Sequence, residues 1–389
     1  HRQSGSARGK GPSCGAEGGN LASDGIKCQS GVPNNHLRRE VPEMNATTYG
    51  MDIAKNVFQV HWVDGNTGEI CRKKLPRGKV TEFFAVRPAG RIAMEACGGA
   101  HHWGRTLGPL GHQIELLPTH QVRPFISGNK DDAADARGIW LAAQHGDIRR
   151  VAVKSSEQQA MLSLHRMRTH WVSVRTATVN ALRGLLYEFG VTLPRGRHSG
   201  LRQLAQQRAE INDAVPAVMV RLVDDQLLAL ADIERHVQAM EEEISLMLKS
   251  QESARRLRDT PGIGVLGATA LAATLGDGTS WRNGREFACC LGLAPGHRGT
   301  GGKVRIGSIS KRGNAYLRTL LINGARALAS REHPAPWIVA LLGRRPFNVV
   351  VVAIAHKLAR IAWALVAHGR AYEASWKASA PPAASAGAV

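Results

Sequence analysis

The chain has 389 residues, enough for two buried cores, and its 51 Lys and Arg against 31 Asp and Glu give a formal charge of +20. That excess favours polyanionic partners, nucleic acid first, and the lack of a basic amphipathic helix or an uninterrupted apolar anchor argues against a membrane-surface protein. Six cysteines (Cys14, Cys28, Cys71, Cys97, Cys289, Cys290) form no CxxC pair and have no spaced histidines nearby, so zinc and disulfide frameworks are unsupported and a cytoplasmic setting is expected.

Residues 1–43 are rich in Gly, Ser, Asn and Arg, with no hydrophobic period and no apolar signal core; they are expected to carry no fold, with a natural start at Met44. Alternation begins there. TTYGMDI, NVFQVHWVD and EICRKKL are strand-like runs separated by Asp64, Gly65, Asn66 and Gly68, which predicts three antiparallel strands. Helix-compatible stretches at Val80 to Val86 and Ala100 to Leu110 lead into RIAMEAC and QIELLP, adding two strands through helical crossovers, with the fourth beside the first. This is the order of a ribonuclease H-like α/β domain, over residues 44–155.

Ile139, Leu141 and Ala142 place an apolar stripe on a helix from Asp131 to His145. Helical character runs from Ser156 to about Phe189 and again from Leu201 to Leu257. In the second stretch Leu227, Leu230, Ile233, Val237, Met240, Ile244 and Met247 recur like heptad positions among alternating charges. Residues 156–257 therefore read as a helical linker and coiled-coil arm, the alternative being a helix packed on its own domain. From Arg258 the chain is Gly rich and basic to Asn314, then helical, giving a mainly α second domain over 258–372 and an unstructured Ala- and Pro-rich tail over 373–389. Val349 to Ala367 is the most apolar stretch, but His356, Lys357 and Arg360 interrupt it, so it reads as a buried helix.

Asp52 ends the first predicted strand and Glu95 the fourth, so adjacent strands bring both acids to one edge of one face. Two carboxylates there repel unless a cation lies between them. GNKDDAADARG presents further acids from the first turns of a helix. Asp132 and Asp135 share a face at a spacing of three, and Asp131 and Asp135 do so at four, so spacing does not choose between the pairs. The same acids also suit a helix cap that complements the dipole. Four carboxylates dispersed on rigid elements fit two Mg²⁺ (or Mn²⁺) ions acting on a phosphodiester, and phosphodiester cleavage is the expected chemistry.

In the second domain the turn in TPGIG resembles half of a helix-hairpin-helix element. Gly262 and Gly264 allow tight backbone geometry, and N–H groups opening the next helix would meet phosphate; otherwise the turn only joins two core helices. GLAPGHRGTGGKVRIGSISKRGN sets Lys303, Arg305, Lys311 and Arg312 among glycines, which reads as a flexible basic loop for a sugar-phosphate chain, or else as a solvated surface loop.

Together these residues resemble the IS110 family of transposases, and most closely its IS1111 branch. The likeness runs from Met44 to about Tyr372 through MNATTYGMDIAKNVFQVHWVD, KDDAADA, TPGIG, GLAP, GGKVRIGSISKRGN, YLRTLLINGARA and NVVVVAIAHKLARIAWAL. The resemblance implies an N-terminal RuvC-like domain with a DEDD metal site, a coiled-coil arm, and a C-terminal domain that supplies a serine nucleophile. Matching the K-x-D-x-x-D-A pattern at Lys130 makes the DEDD set Asp52, Glu95, Asp132 and Asp135. It further implies several subunits assembled on a structured guide RNA encoded by the element. In the family a serine precedes the Ser/Thr-Gly-Gly-Lys run; here Gly299 stands there, with Thr300 next to it and Ser308 and Ser310 farther on. Thr300 is thus the candidate hydroxyl nucleophile. The alternatives are a junction-type nuclease that uses water, and an inactive nucleic-acid-binding relic.

Overall fold

The computed structural model describes residues 47–126, 131–300 and 303–373; the expectations for residues 1–43, Met44, the tail beyond Glu373 and Lys130 lie outside the described residues. Alternating residues after Thr47 build one mixed sheet. Strands β1 (Thr48–Asp52), β2 (Val57–Val63) and β3 (Ile70–Pro76) run antiparallel. Helix α1 (Val80–Ala85) precedes β4 (Arg91–Glu95), and α2 (Ala100–Leu107) precedes β5 (Gln113–Leu117); both strands join parallel, giving the order β3-β2-β1-β4-β5.

Strand periodicity divides the sheet's side chains between two layers. Met51, Phe58, Val60, Ile92 and Met94 face α1 and α2, whose Phe84, Trp103 and Leu107 complete that core. The opposite face carries Gly50, Asp52, Ala93 and Glu95. It is covered by the short α3 (Thr119–Val122) and by α4 (Asp132–Ala143), whose Ile139, Ala142 and Ala143 pack on Ala93 and Leu117. Gly50 permits this: a Cβ there would overlap the Ala136 carbonyl oxygen and stand 2.6 Å from the Trp140 backbone nitrogen. Helix α4 therefore rests directly on the backbone of β1.

A capping box at Ser155, with Gln158 returning the bond, starts α5 (Ser156–Tyr187). The stretch expected to be continuous from Leu201 is broken into α6 (Arg197–Gln206), α7 (Arg208–Ala214), α8 (Ala217–Ser250) and α9 (Glu252–Arg258), because Pro216 must lie outside a helix interior and Gln251 is extended. Helices α5 and α8 pair antiparallel: Arg168 bonds Glu241, Arg175 bonds Glu234, and the Trp171 ring stacks on His236 at 4.4 Å. At 34 residues α8 is roughly 50 Å long. Of its heptad-like residues, Leu230, Ile233, Val237 and Ile244 are buried, and Leu227, Met240 and Met247 are half-buried. Helices α6 and α7 close the far end through Leu204 and Ile211 against Leu182, Leu186 and Val223.

The C-terminal body is mainly helical, formed by α9, α10 (Val265–Leu275), α11 (Gly284–Cys290), α12 (Ala315–Ala329), α13 (Pro336–Leu342) and α14 (Phe347–Ala367). Helix α14 is long and apolar enough to cross a membrane by length and composition, but Val350, Val351, Ile354, Leu358 and Ala362 are buried in this core, as a core helix requires. The glycine-rich segment expected to be a flexible loop contains a hairpin, β6 (Pro295–Thr300) against β7 (Lys303–Ile309). Val304, Ile306 and Ile309 interleaved with Lys303 and Arg305 supply strand propensity that the glycine count obscures.

His165 of α5 ties the arm to this body, with Nδ1 2.9 Å from the Tyr316 hydroxyl and Nε2 3.0 Å from Thr269 Oγ1. Burial, reinforced by Arg168, lowers its pKa to about 4. An unfolded histidine takes its proton near pH 6.5, so this contribution is complete above that pH and is lost as pH falls toward 4. Urea titrations should give a stability lower by about 2 kcal/mol at pH 5 than at pH 7 from this residue. His165→Leu should remove that part of the slope.

Candidate active site

The strand ends set the geometry. Parallel pairing runs through Met51 and Met94, so its continuation sets Asp52 beside Glu95 on the face toward α4. Helix α4 begins at that edge, and carboxylate oxygens of Asp52, Asp132 and Asp135 lie within 4.8 Å of one another. Glu95 completes the group electrostatically. Burial, then the charges of Asp52 and Asp135, push its carboxyl above the usual carboxylate range against the opposing hydrogen bond from the Thr119 side chain. Such crowding of like charge is costly without a cation, and hard oxygen donors at this spacing fit a divalent metal ion. Asp52 and Asp135 are half-buried and Asp132 is exposed, which leaves the group open on one side.

At the start of α4 different acids cap the helix and approach the sheet. Asp131 is the N-cap, extended at φ −141°, with its side chain accepting from the Ala133 N–H at 3.3 Å. Asp132 and Asp135, one turn apart, face Asp52. Two neighbours escaped the sequence reading. Thr119 opens α3 at the tip of β5 and holds Glu95, and Cys97, just past β4, has its thiol pushed up by burial and by Glu95 and Asp52. A threonine two positions past a strand end, just after Pro118, was the available signal for Thr119.

In the C-terminal body Gly262 sits at φ +86° against α12, where its carbonyl oxygen fills the place of a Cβ on Gly324 and the Leu328 side chain lies 2.6 Å from the place of its own. The need for glycine at 262 is therefore met by packing and backbone conformation. Gly264, exposed, begins α10 with no side-chain cap, so that helix's first N–H groups have no side chain competing for them. Thr300 is exposed at the end of β6, directly opposite Lys303 of β7, and Arg305 shares that face of the hairpin. Lys311, at φ +54°, and Arg312 follow, both exposed, before Asn314 caps α12 by accepting from Leu317 N–H at 3.1 Å. The carboxylates thus belong to the sheet, and Thr300 with the four cations belongs to the hairpin segment between α11 and α12.

The acids thus sit at two strand ends and one helix start of a five-stranded mixed sheet, and comparison with known proteins makes that sheet part of the DEDD nuclease domain of a transposase, an enzyme. One family model, described as "Transposase" and specific to the DEDD domain of IS110 elements, matches residues 49–190; a second, described as "Transposase IS116/IS110/IS902 family", matches residues 254–338. A "Probable family 20 transposase" of Pseudomonas aeruginosa is 44% identical over 335 residues, spanning 85% of this chain and 99% of that protein. The "Transposase for insertion sequence element IS1328" of Yersinia enterocolitica is 37% identical, over 84% of this chain and 99% of its own length. That of IS1111A in Coxiella burnetii is 35% identical, over 83% and 90%. The chain belongs to the IS110/IS116/IS902 family of transposases.

Proposed function

We propose that this transposase cuts and rejoins DNA strands, using Asp52, Glu95, Asp132 and Asp135 as a metal-binding DEDD set and Thr300 as a hydroxyl nucleophile. The convergence of Asp52, Asp132 and Asp135 carboxylates within 4.8 Å carries this reading. A divalent cation held there, Mg²⁺ or Mn²⁺, supplies Lewis-acid polarisation of a phosphodiester oxygen. On this reading residues 44–155 are a RuvC-like domain of ribonuclease H fold, 156–257 a linker and coiled-coil arm, and 258–372 the transposase domain with a helix-hairpin-helix-like start. Glu95, whose carboxyl is pushed up by burial and by the neighbouring Asp52 and Asp135, would join the set through its own oxygens, and Thr119 keeps it oriented.

Thr300 Oγ1 bonds to phosphorus as the bridging phosphorus–oxygen bond of the strand breaks; the hydroxyl proton passes to solvent, the released sugar oxygen takes one up as a free hydroxyl, and the ester preserves bond energy for rejoining. Lys303, across the hairpin, favours the alkoxide and the phosphate alike. Arg305, Lys311 and Arg312 hold the sugar-phosphate chain, and backbone N–H groups around Gly262 and Gly264 add sequence-independent contacts. We further propose a guide RNA, encoded by the element, and a homo-oligomer as the working assembly. A cytoplasmic setting is in keeping with free thiols at Cys71, Cys97, Cys289 and Cys290.

The test is joined product from purified protein, element-flank RNA, Mg²⁺ and donor plus target DNA. Within it, Thr300→Ala should abolish the covalent protein–DNA adduct seen on denaturing gels. An adduct at unchanged yield removes Thr300 from the mechanism. Gly299 at the serine position favours a second reading, in which water is the nucleophile and the product is nicked DNA without covalent linkage.

A further inference from the structure

Between the TPGIG turn and helices α13 and α14 lies a cavity of ≈ 180 Å³ that neither the carboxylates nor the hairpin uses. Its wall includes Thr260 and Pro261 of the turn, Trp337 of α13, Lys357 of α14, Arg331 and Tyr372. Aromatic rings and cations thus share one small space. Lys357 Nζ stands 4.0 Å from the centroid of the Trp337 ring, and no acid lines the cavity among the described residues, so its field is positive.

Thr260 supplies the second observation. It is only 2% exposed, and its hydroxyl oxygen is buried without a hydrogen-bond partner. A buried orphan hydroxyl lowers stability, whereas valine would fill the same shape without that cost. A threonine at this position makes sense if something that enters the cavity bonds to it.

We propose that the cavity receives one unstacked nucleotide of a nucleic-acid strand. Its base lies against Trp337 and Tyr372, with a polar edge on the Thr260 hydroxyl and its phosphate toward Arg331 and Lys357. The volume suits a single heterocyclic base and not a base pair. The turn that opens α10 with uncapped N–H groups also supplies Thr260 and Pro261 to the cavity wall, so backbone contact and base capture would lie on one turn. This inference rests on the reading of the chain as an enzyme acting on nucleic acid, and goes beyond it by naming where an extruded base is held.

The full-length protein is titrated into single-stranded DNA and RNA of one sequence, each with one 2-aminopurine between abasic sugars. Anisotropy reports strand binding and fluorescence reports stacking of the probe. Quenching is expected with at least one strand, and which one identifies the source of the nucleotide. Trp337→Ala should abolish the quenching and weaken binding about tenfold, and Trp337→Phe should restore most of both. Thr260→Val should keep or raise the thermal midpoint yet weaken binding about fivefold. It decides the matter if Trp337→Ala lacks a cooperative transition. Unchanged quenching in the variants, or none in the wild type while the strand still binds, overturns the cavity alone. Failure of the wild type to bind either strand overturns it together with the functional reading beneath it.

Discussion

Asp52→Asn and Asp135→Asn are each expected to lower strand joining by on the order of a thousandfold, since several kcal/mol of charge stabilisation at the phosphodiester are removed with the metal-binding oxygens. The same substitutions should leave the fold intact. Each removes one member of a group of mutually repelling carboxylates, so the metal-free variants should melt at or above the wild-type temperature. Metal reverses the order. Millimolar Mg²⁺ or Mn²⁺ should raise the wild-type midpoint by binding the folded state, by about 1–3 kcal/mol in stability, and should do little for either variant.

The pH dependence has a definite sign. Glu95 has a raised pKa in the folded protein, so its contribution is present below the ordinary carboxylate pKa and is lost as pH rises through the raised value. Metal-free protein should therefore lose stability over that window, and Asp52→Asn should lessen the loss. Asp131→Asn is the control, because asparagine also caps helices and Asp131 is occupied with the Ala133 N–H. It should retain near wild-type activity. A wild-type midpoint indifferent to both metals, alongside an active Asp52→Asn variant, would falsify the metal-centre reading.

Gly50→Val is expected to be as damaging without touching a carboxylate. Its Cβ would collide with the backbone of α4 at Ala136 and Trp140, atoms that no rotamer change can move aside. Overpacking of this kind costs about 3 kcal/mol or more, and relief by lifting α4 carries Asp132 and Asp135 away from Asp52. Circular dichroism should show a folded but less stable chain, and calorimetric titration with Mn²⁺ should show binding weakened at least tenfold, the effect of losing one or two ligands. Retention of wild-type metal affinity by a stable Gly50→Val protein would mean that α4 is not held in place by β1.

Much of the site was already legible in the linear chain. Strand alternation put Asp52 and Glu95 at the ends of two strands, and the order of strands and crossovers made those strands neighbours, because a parallel connection needs a helix and a sheet side chain has only two faces to choose from. Spacing in KDDAADA could not distinguish Asp131 from Asp132. Three-dimensional packing separates them, since the residue just before a helix adopts extended geometry and turns its side chain back on the first N–H groups, while the next residue points along the helical face.

Other features depended on contacts between residues distant in sequence. Gly50 is one unremarkable strand glycine until α4 lies on it, and Gly262 looks like a turn residue until Gly324 of α12 closes against it. The pairing of 295–300 with 303–309 was masked by glycines whose local preference is for loops, and cross-strand pairing overrode it. The cavity beside Trp337 joins residues 260, 331, 337, 357 and 372, which no local period connects. Local periodicity therefore determined which elements form and which acids they carry, because strand and helix repeats are short-range properties of the backbone. Packing decided how closely those elements approach, which carboxylates meet, and where a pocket remains, because close approach depends on the absence of a side chain on one element and the shape of another.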